Sequence, residues 1–120
     1  AVRTHRKIYF QTLVAINVLK IVERELSMGP AHAQDEWSRL NTLLGESTSM
    51  PVRLNEIKTM LKERNRDLVK AIRSGNHDAD EKRRALFAHL EATVTEQLEV
   101  ANPRYLKKIA AEDENPALDA

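Results

Sequence analysis

The chain has 120 residues, a formal net charge of +1 and no cysteine, and Ala, Glu, Lys, Leu and Arg supply 59 of its positions, the composition of long helices. Without Cys there is no disulfide scaffold and no thiolate zinc site, and no apolar run reaches the roughly 18 residues of a membrane span. The runs between the seven Gly and Pro are too long for an all-β domain, whose turns recur about every 8–12 residues. These exclusions predict a cytoplasmic all-α protein, a single-domain bundle of four main helices over 1–111 with a short C-terminal helical turn and a disordered acidic tail over 112–120.

The first helix is expected over 5–28, stopped by Gly29-Pro30, because Gly supplies φ > 0 past a helix end and Pro cannot continue the helix. Ile8, Ala15, Leu19, Val22 and Leu26 share one face, Phe10, Val14, Ile21 and Met28 a second, and Leu13 and Ile16 extend towards a third. A helix apolar nearly all round is expected to be buried on several sides, so this one reads as the central helix. The chain opens on Ala1 rather than Met, so either the initiator was removed or an N-terminal stretch precedes it.

The second helix is expected over 31–44, closed by Gly45. Ala33, Trp37, Leu40 and Leu44 follow 4-3-4 spacing, which places them on one buried face. Residues 46–50 are polar and read as a loop, with Pro51 opening the next helix. That third helix, over 51–74, carries Leu54, Ile57, Leu61, Leu68 and Ile72 on one side and Lys58, Lys62, Arg66 and Arg73 on the other, and ends at Gly75.

The fourth helix starts at Asp78, where Asp78 and Glu81 have the spacing of a capping box. Its apolar ridge is Leu86, Leu90, Val94 and Leu98, with Phe87 alongside. Asn102-Pro103 breaks it, since Pro disfavours α geometry in the residue before it. Residues 104–111 can add a helical turn with Tyr105, Leu106 and Ile109 facing inward. Beyond them, 112–120 holds four acids, no base and one Leu, too little apolar surface to offset its ordering entropy.

Little in this pattern carries catalysis. There is no Cys nucleophile and no GxSxG elbow around any Ser. His5, His32, His77 and His89 lack metal spacing such as HExxH. Asp78, Asp80 and Glu81 resemble a cation loop only faintly, and capping explains Asp78 and Glu81 better. Every Gly punctuates a helix, which leaves none for a phosphate cradle. The basic stripe on the third helix could meet phosphate, but Glu56, Glu63 and Asp67 dilute it. A charge of +5 over 1–111 is weak for a dedicated nucleic-acid binder. A solvated face explains the stripe, and equally Lys82-Arg83-Arg84.

The anomaly is polar residues in the first helix. Asn17 and Arg24 lie seven apart, hence on one face, beside Phe10. Burying them costs free energy unless they are paired. They either satisfy internal groups, such as the ends of the 102–105 corner, or face a second protein.

Three stretches carry a resemblance: VAINVLKIVEREL with the following GP (14–26, 29–30), the segment from Trp37 to Gly45 ending LLG, and ANPRY (101–105). Over residues 8–110 the chain resembles a family of small bacterial proteins designated a domain of unknown function. That family's genes lie beside an aminoglycoside-phosphotransferase-like kinase and an acyl-CoA dehydrogenase, and many members carry additional residues before this point. The resemblance extends to the small accessory subunit of the two-protein 4-hydroxyacyl-CoA kinase of levulinate catabolism. It implies a non-catalytic subunit needed by a phosphotransferase-fold partner, which holds the ATP, the Mg and the catalytic groups; this chain binds no cofactor and has no catalytic residue of its own. On the matching motifs, Asn17, Arg24, Asn102, Arg104 and Tyr105 are expected to form a polar cluster shaping the partner-facing surface, since Arg and Tyr are enriched where interfaces bind strongly. Arg104, Lys107 and Lys108 could approach CoA phosphates, although basic helix ends also simply complement the helix dipole. Two other readings remain open: a self-assembling helical homodimer that covers the first helix, and a weak nucleic-acid-binding domain using the basic stripe.

Overall fold

The computed structural model describes residues 2–114. It is all-α: α1 spans Val2–Leu44, α2 Leu54–Arg73, α3 Asp80–Ala101 and α4 Pro103–Asp113, with no strand among the described residues. Helix α1 is the spine, and both α2 and α3 pack on it, while α4 folds back against the end of α3.

The expected stop at Gly29-Pro30 does not occur. Helix α1 runs through both residues as one 43-residue rod, about 65 Å at 1.5 Å per residue. Gly29 does not have a positive φ, unlike Gly45 and Gly75, which close α1 and α2 at φ 66° and 84°. Interior Pro costs about 3 kcal/mol through a lost hydrogen bond and a clash with the carbonyl four residues earlier. Contacts on both sides of it oppose that cost. Arg24 Nε donates to the Val100 carbonyl at 2.7 Å, and His32 Nε2 lies 2.9 Å from a Glu99 carboxylate oxygen. The last turn of α3 thus contacts α1 on both sides of Gly29-Pro30.

The core lies in the C-terminal half of α1. Ala33, Trp37 and Leu40 are buried against Ile57, Leu61 and Leu68 of α2 and Leu86 of α3, with Leu44 half-buried beside them. Burial of each large apolar side chain contributes about 1.5–3 kcal/mol. The 4-3-4 face of residues 33–44 is therefore the core face.

Burial corrects the reading of the first segment. Over residues 2–28 only Ile21, Arg24 and Met28 are half-buried, and the rest is exposed. Instead of a central helix, this half of α1 is a limb that projects from the core. The radius of gyration is 19.1 Å, against about 14 Å for a compact chain of this length.

Three helix starts and faces also differ from expectation. Helix α2 begins at Leu54, so Pro51 lies outside it, and its N-cap Arg53 makes no side-chain cap. Helix α3 begins at Asp80 with Ala79 at the N-cap and no side-chain cap, so Asp78 and Glu81 form no capping box. Asp78 instead folds back on the turn: its backbone N–H donates to the Gly75 carbonyl at 3.2 Å. On α3, Leu86 is buried and Leu98 half-buried, but Phe87, Leu90 and Val94 are exposed. The side that meets α1 is largely polar. There Arg39 donates to His89 Nδ1 (3.2 Å) and Thr93 Oγ1 (3.2 Å), and its guanidinium pairs with Glu96.

The Asn102-Pro103 break is present. Asn102 is at once the last cap of α3 and the N-cap of α4, its Oδ1 accepting the Tyr105 N–H at 3.2 Å. Leu106 and Ile109 are half-buried, whereas Tyr105 is half exposed rather than inward-facing. Helix α4 continues through Glu112 and Asp113, past the expected start of the acidic tail. The remainder of that expected tail, 115–120, lies outside the described residues.

Candidate partner-binding surface

Asn17 and Arg24, from the limb, and Asn102 and Arg104, from the α3–α4 corner, line one cleft of about 380 Å³. Four of the five residues expected to cluster are thus brought together. Tyr105 does not line the cleft; its backbone serves the α4 cap instead. The cleft forms because Arg24 is tied to the end of α3. Its Nε–H satisfies the Val100 carbonyl, one of the last carbonyls of α3 with no partner inside the helix. Pro103, at the first position of α4, turns the chain so that Arg104 returns beside the limb.

Lys20 and Ile21 complete the limb side of this cleft. Sequence reasoning missed Lys20, although it stands three residues from Asn17 and four from Arg24, the spacing of one helix face. Lys20, Arg24 and Arg104 are three cations at one cleft, and among the described residues no carboxylate lines it. Lys107 and Lys108 are exposed on α4 and do not line it. The arrangement suits an anion or a carboxylate-bearing partner.

Beside the cleft, the limb shows a long apolar surface. The buried face of Ala33, Trp37, Leu40 and Leu44 continues N-terminally as Ile8, Ala15, Leu19, Val22 and Leu26, at the same helical angle but without a covering helix among the described residues. Leu19 is 68% and Leu26 75% exposed. Phe10, Leu13 and Val14 are exposed on other sides of the same limb. Contiguous apolar surface of this extent marks an interaction site more often than an ordinary solvated face.

The basic stripe of Lys58, Lys62, Arg66 and Arg73 remains exposed along α2. Lys58 Nζ lies 3.9 Å from a Glu25 carboxylate oxygen, an exposed pair of little energetic weight. Lys82, Arg83 and Arg84 are exposed, and Arg83 pairs with Asp80 at 3.0 Å. No group of three or more His, Cys, Asp or Glu among the described residues is placed to hold a metal ion. No described helix is long and apolar enough to cross a membrane.

The fold is all-helical, with an exposed apolar limb beside a cleft lined by arginine, lysine and asparagine. The chain belongs to the family described as "Domain of unknown function (DUF6285)", which matches residues 3–105. No curated protein and no solved structure matches it.

Proposed function

We propose that this chain is a non-catalytic accessory subunit that binds and enables a phosphotransferase-fold kinase acting on a hydroxyacyl-CoA, of the kind used in levulinate and 4-hydroxy-acid catabolism in the cytoplasm. The observation that carries the interaction half of this reading is the limb: a helix apolar on several faces, with Leu19 and Leu26 exposed, has no covering partner among the described residues. The kinase half is supported by the resemblance of VAINVLKIVEREL-x-x-GP, the LLG segment and ANPRY at their spacing. In this reading ATP, Mg and the phosphoryl-transfer groups belong to the partner. Asn17, Arg24, Asn102 and Arg104 shape the surface that the partner meets, with Tyr105 at its edge. Arg104, joined by Lys20 and Arg24 and flanked by Lys107 and Lys108, is suited to CoA phosphates reaching that cleft.

Affinity purification of the tagged chain from native lysate tests the proposal. A phosphotransferase-fold kinase is expected in the eluate, with kinase activity that rises when the chain is added. Absence of such a kinase, together with activity indifferent to the chain, contradicts it. A homodimer through the same limb is the second reading, favoured by the unbroken continuation of the core face along it. Light scattering across a concentration series separates the two.

A further inference from the structure

A cavity of about 690 Å³ opens between the C-terminal end of α1 and the first turns of α3, within the size range of small-molecule sites, about 300–1,000 Å³. Its apolar lining is Leu43 and Leu44 from α1 and Ala85 and Ala88 from α3. Ala85 and Ala88 are three residues apart on one helix face, and their short side chains leave the groove unfilled.

The polar lining consists mainly of donors. His77 and His89 are only 7% and 5% exposed, yet both border the cavity. Nδ1 of His77 is buried without a hydrogen-bond partner. Nδ1 of His89 accepts from Arg39 Nε at 3.2 Å, which assigns the imidazole proton to Nε2; no described residue accepts that proton. Burial, reinforced by the Arg39 guanidinium, holds the His89 pKa below its ordinary value despite opposing pulls from Glu36 and Glu96, so the ring stays neutral. Lys82 adds a cation with no ion-pair partner among the described residues, and Glu81 is the sole carboxylate of the lining. The unpaired, buried Nδ1 of His77 and the Lys82 ammonium both stand at the start of α3, with the groove of Ala85 and Ala88 further along that helix, an order complementary to an amphiphile with an oxyanion head. The Arg39 charge is already countered by Glu96 and the Glu81 carboxylate offsets part of the Lys82 charge, a balance that suits a monoanion rather than a phosphate dianion.

We infer that this cavity binds an aliphatic carboxylate of medium chain length, its chain lying along Ala85 and Ala88 and its carboxylate meeting His77 and Lys82 at the start of α3. The inference is independent of the kinase reading, because this cavity shares no residue with the Asn17–Arg104 cleft.

Calorimetric titration of octanoate into the full chain tests it, with octanol as the uncharged probe of equal chain length. Octanoate is expected to bind with a Kd below about 1 mM and octanol about tenfold more weakly, since charge-assisted hydrogen bonds are the stronger kind. Ala88→Leu, at an exposed position that tolerates a larger side chain, fills the groove and is expected to weaken octanoate at least about tenfold with an unchanged melting temperature. Lys82→Gln is expected to weaken octanoate about three- to tenfold and leave octanol unchanged, and Glu81→Gln to tighten octanoate about threefold. Octanoate giving no heat at several times that concentration, octanol binding as tightly as octanoate, or Ala88→Leu and Lys82→Gln both binding as wild type overturns the inference.

Discussion

Arg64 holds its guanidinium 4.5 Å from the centre of the Trp37 ring, joining α2 to α1 at the middle of the core. The side chain is only 6% exposed, although it is charged. Its Nη2 donates to Asn41 Oδ1 at 2.7 Å and lies 3.4 Å from Glu46. Trp37 Nε1 and Asn41 Nδ2 both donate to the Thr48 carbonyl, at 2.9 and 3.1 Å, so the same cluster fixes the 46–50 loop. Cation–π attraction and charge-assisted bonds strengthen when shielded from water. Arg64→Ala is therefore expected to cost about 2–3 kcal/mol, and Trp37→Ala about 3–5 kcal/mol, in urea denaturation. A double mutant that costs as much as the two losses added together would show that the stacked pair does not act as a unit.

The continuity of α1 has a test of opposite signs. Gly29 is helical, and a Cβ built on it meets nothing within 4 Å. Gly29→Ala is then expected to stabilise the chain by about 0.5–1 kcal/mol, and Pro30→Ala by about 1–3 kcal/mol, through recovered helix propensity and the restored hydrogen bond. If the first helix ended at Gly29 in a left-handed cap, Gly29→Ala would instead lower the melting temperature.

Arg24 and His32 fasten the limb to the last turn of α3. Arg24→Ala leaves the Val100 carbonyl without its charged donor, at a cost of about 1.5–3 kcal/mol. Because the limb lies outside the core, the loss is expected to be local. Amide exchange over 2–28 should rise while the Trp37 emission stays unchanged. A shift in that emission would place the limb within the cooperative core.

The buried His89 sets a pH dependence. Burial first, then the nearby Arg39 guanidinium, lower its pKa in the native state. The unfolded chain, titrating near the ordinary value of about 6.5, takes up a proton that the native chain resists. Stability from this group is therefore complete above the ordinary histidine value of about 6.5 and declines as pH falls below it, through the lowered native value. The melting temperature should fall over that window, and His89→Gln, which keeps a polar side chain beside Arg39, should flatten the decline. An equal slope in the variant would assign the acid sensitivity elsewhere.

Much of the fold and of the candidate surface is legible in the residue pattern. The spacing of Ala33, Trp37, Leu40 and Leu44 marks the core face; Gly45 and Gly75 close their helices with positive φ. Asn102-Pro103 ends one helix and caps the next, and the placement of Asn17 and Arg24 on one face anticipates their meeting with Asn102 and Arg104. What escapes the pattern depends on partners distant in sequence. Pro30 reads locally as a stop, and the contacts that flank it in the continuous helix come from Glu99 and Val100, some seventy residues later. Nothing in the residue pattern singles out Arg64, whose burial depends on Trp37 on another helix. The exposed limb escaped for a different reason: its apolar faces imply burial, but periodicity does not say whether the cover comes from the same chain.

Whether a second protein covers the limb can be measured directly. Leu19→Glu and Leu26→Glu replace side chains that are 68% and 75% exposed, so each variant should fold with wild-type stability. Each is co-expressed with the phosphotransferase-fold kinase and passed over a sizing column with light scattering. The account predicts a stoichiometric complex for the wild-type chain and loss of at least about tenfold in affinity for either variant, from a charge placed in a buried apolar contact. A kinase that elutes alone beside the wild-type chain, or a complex indifferent to both substitutions, would contradict it.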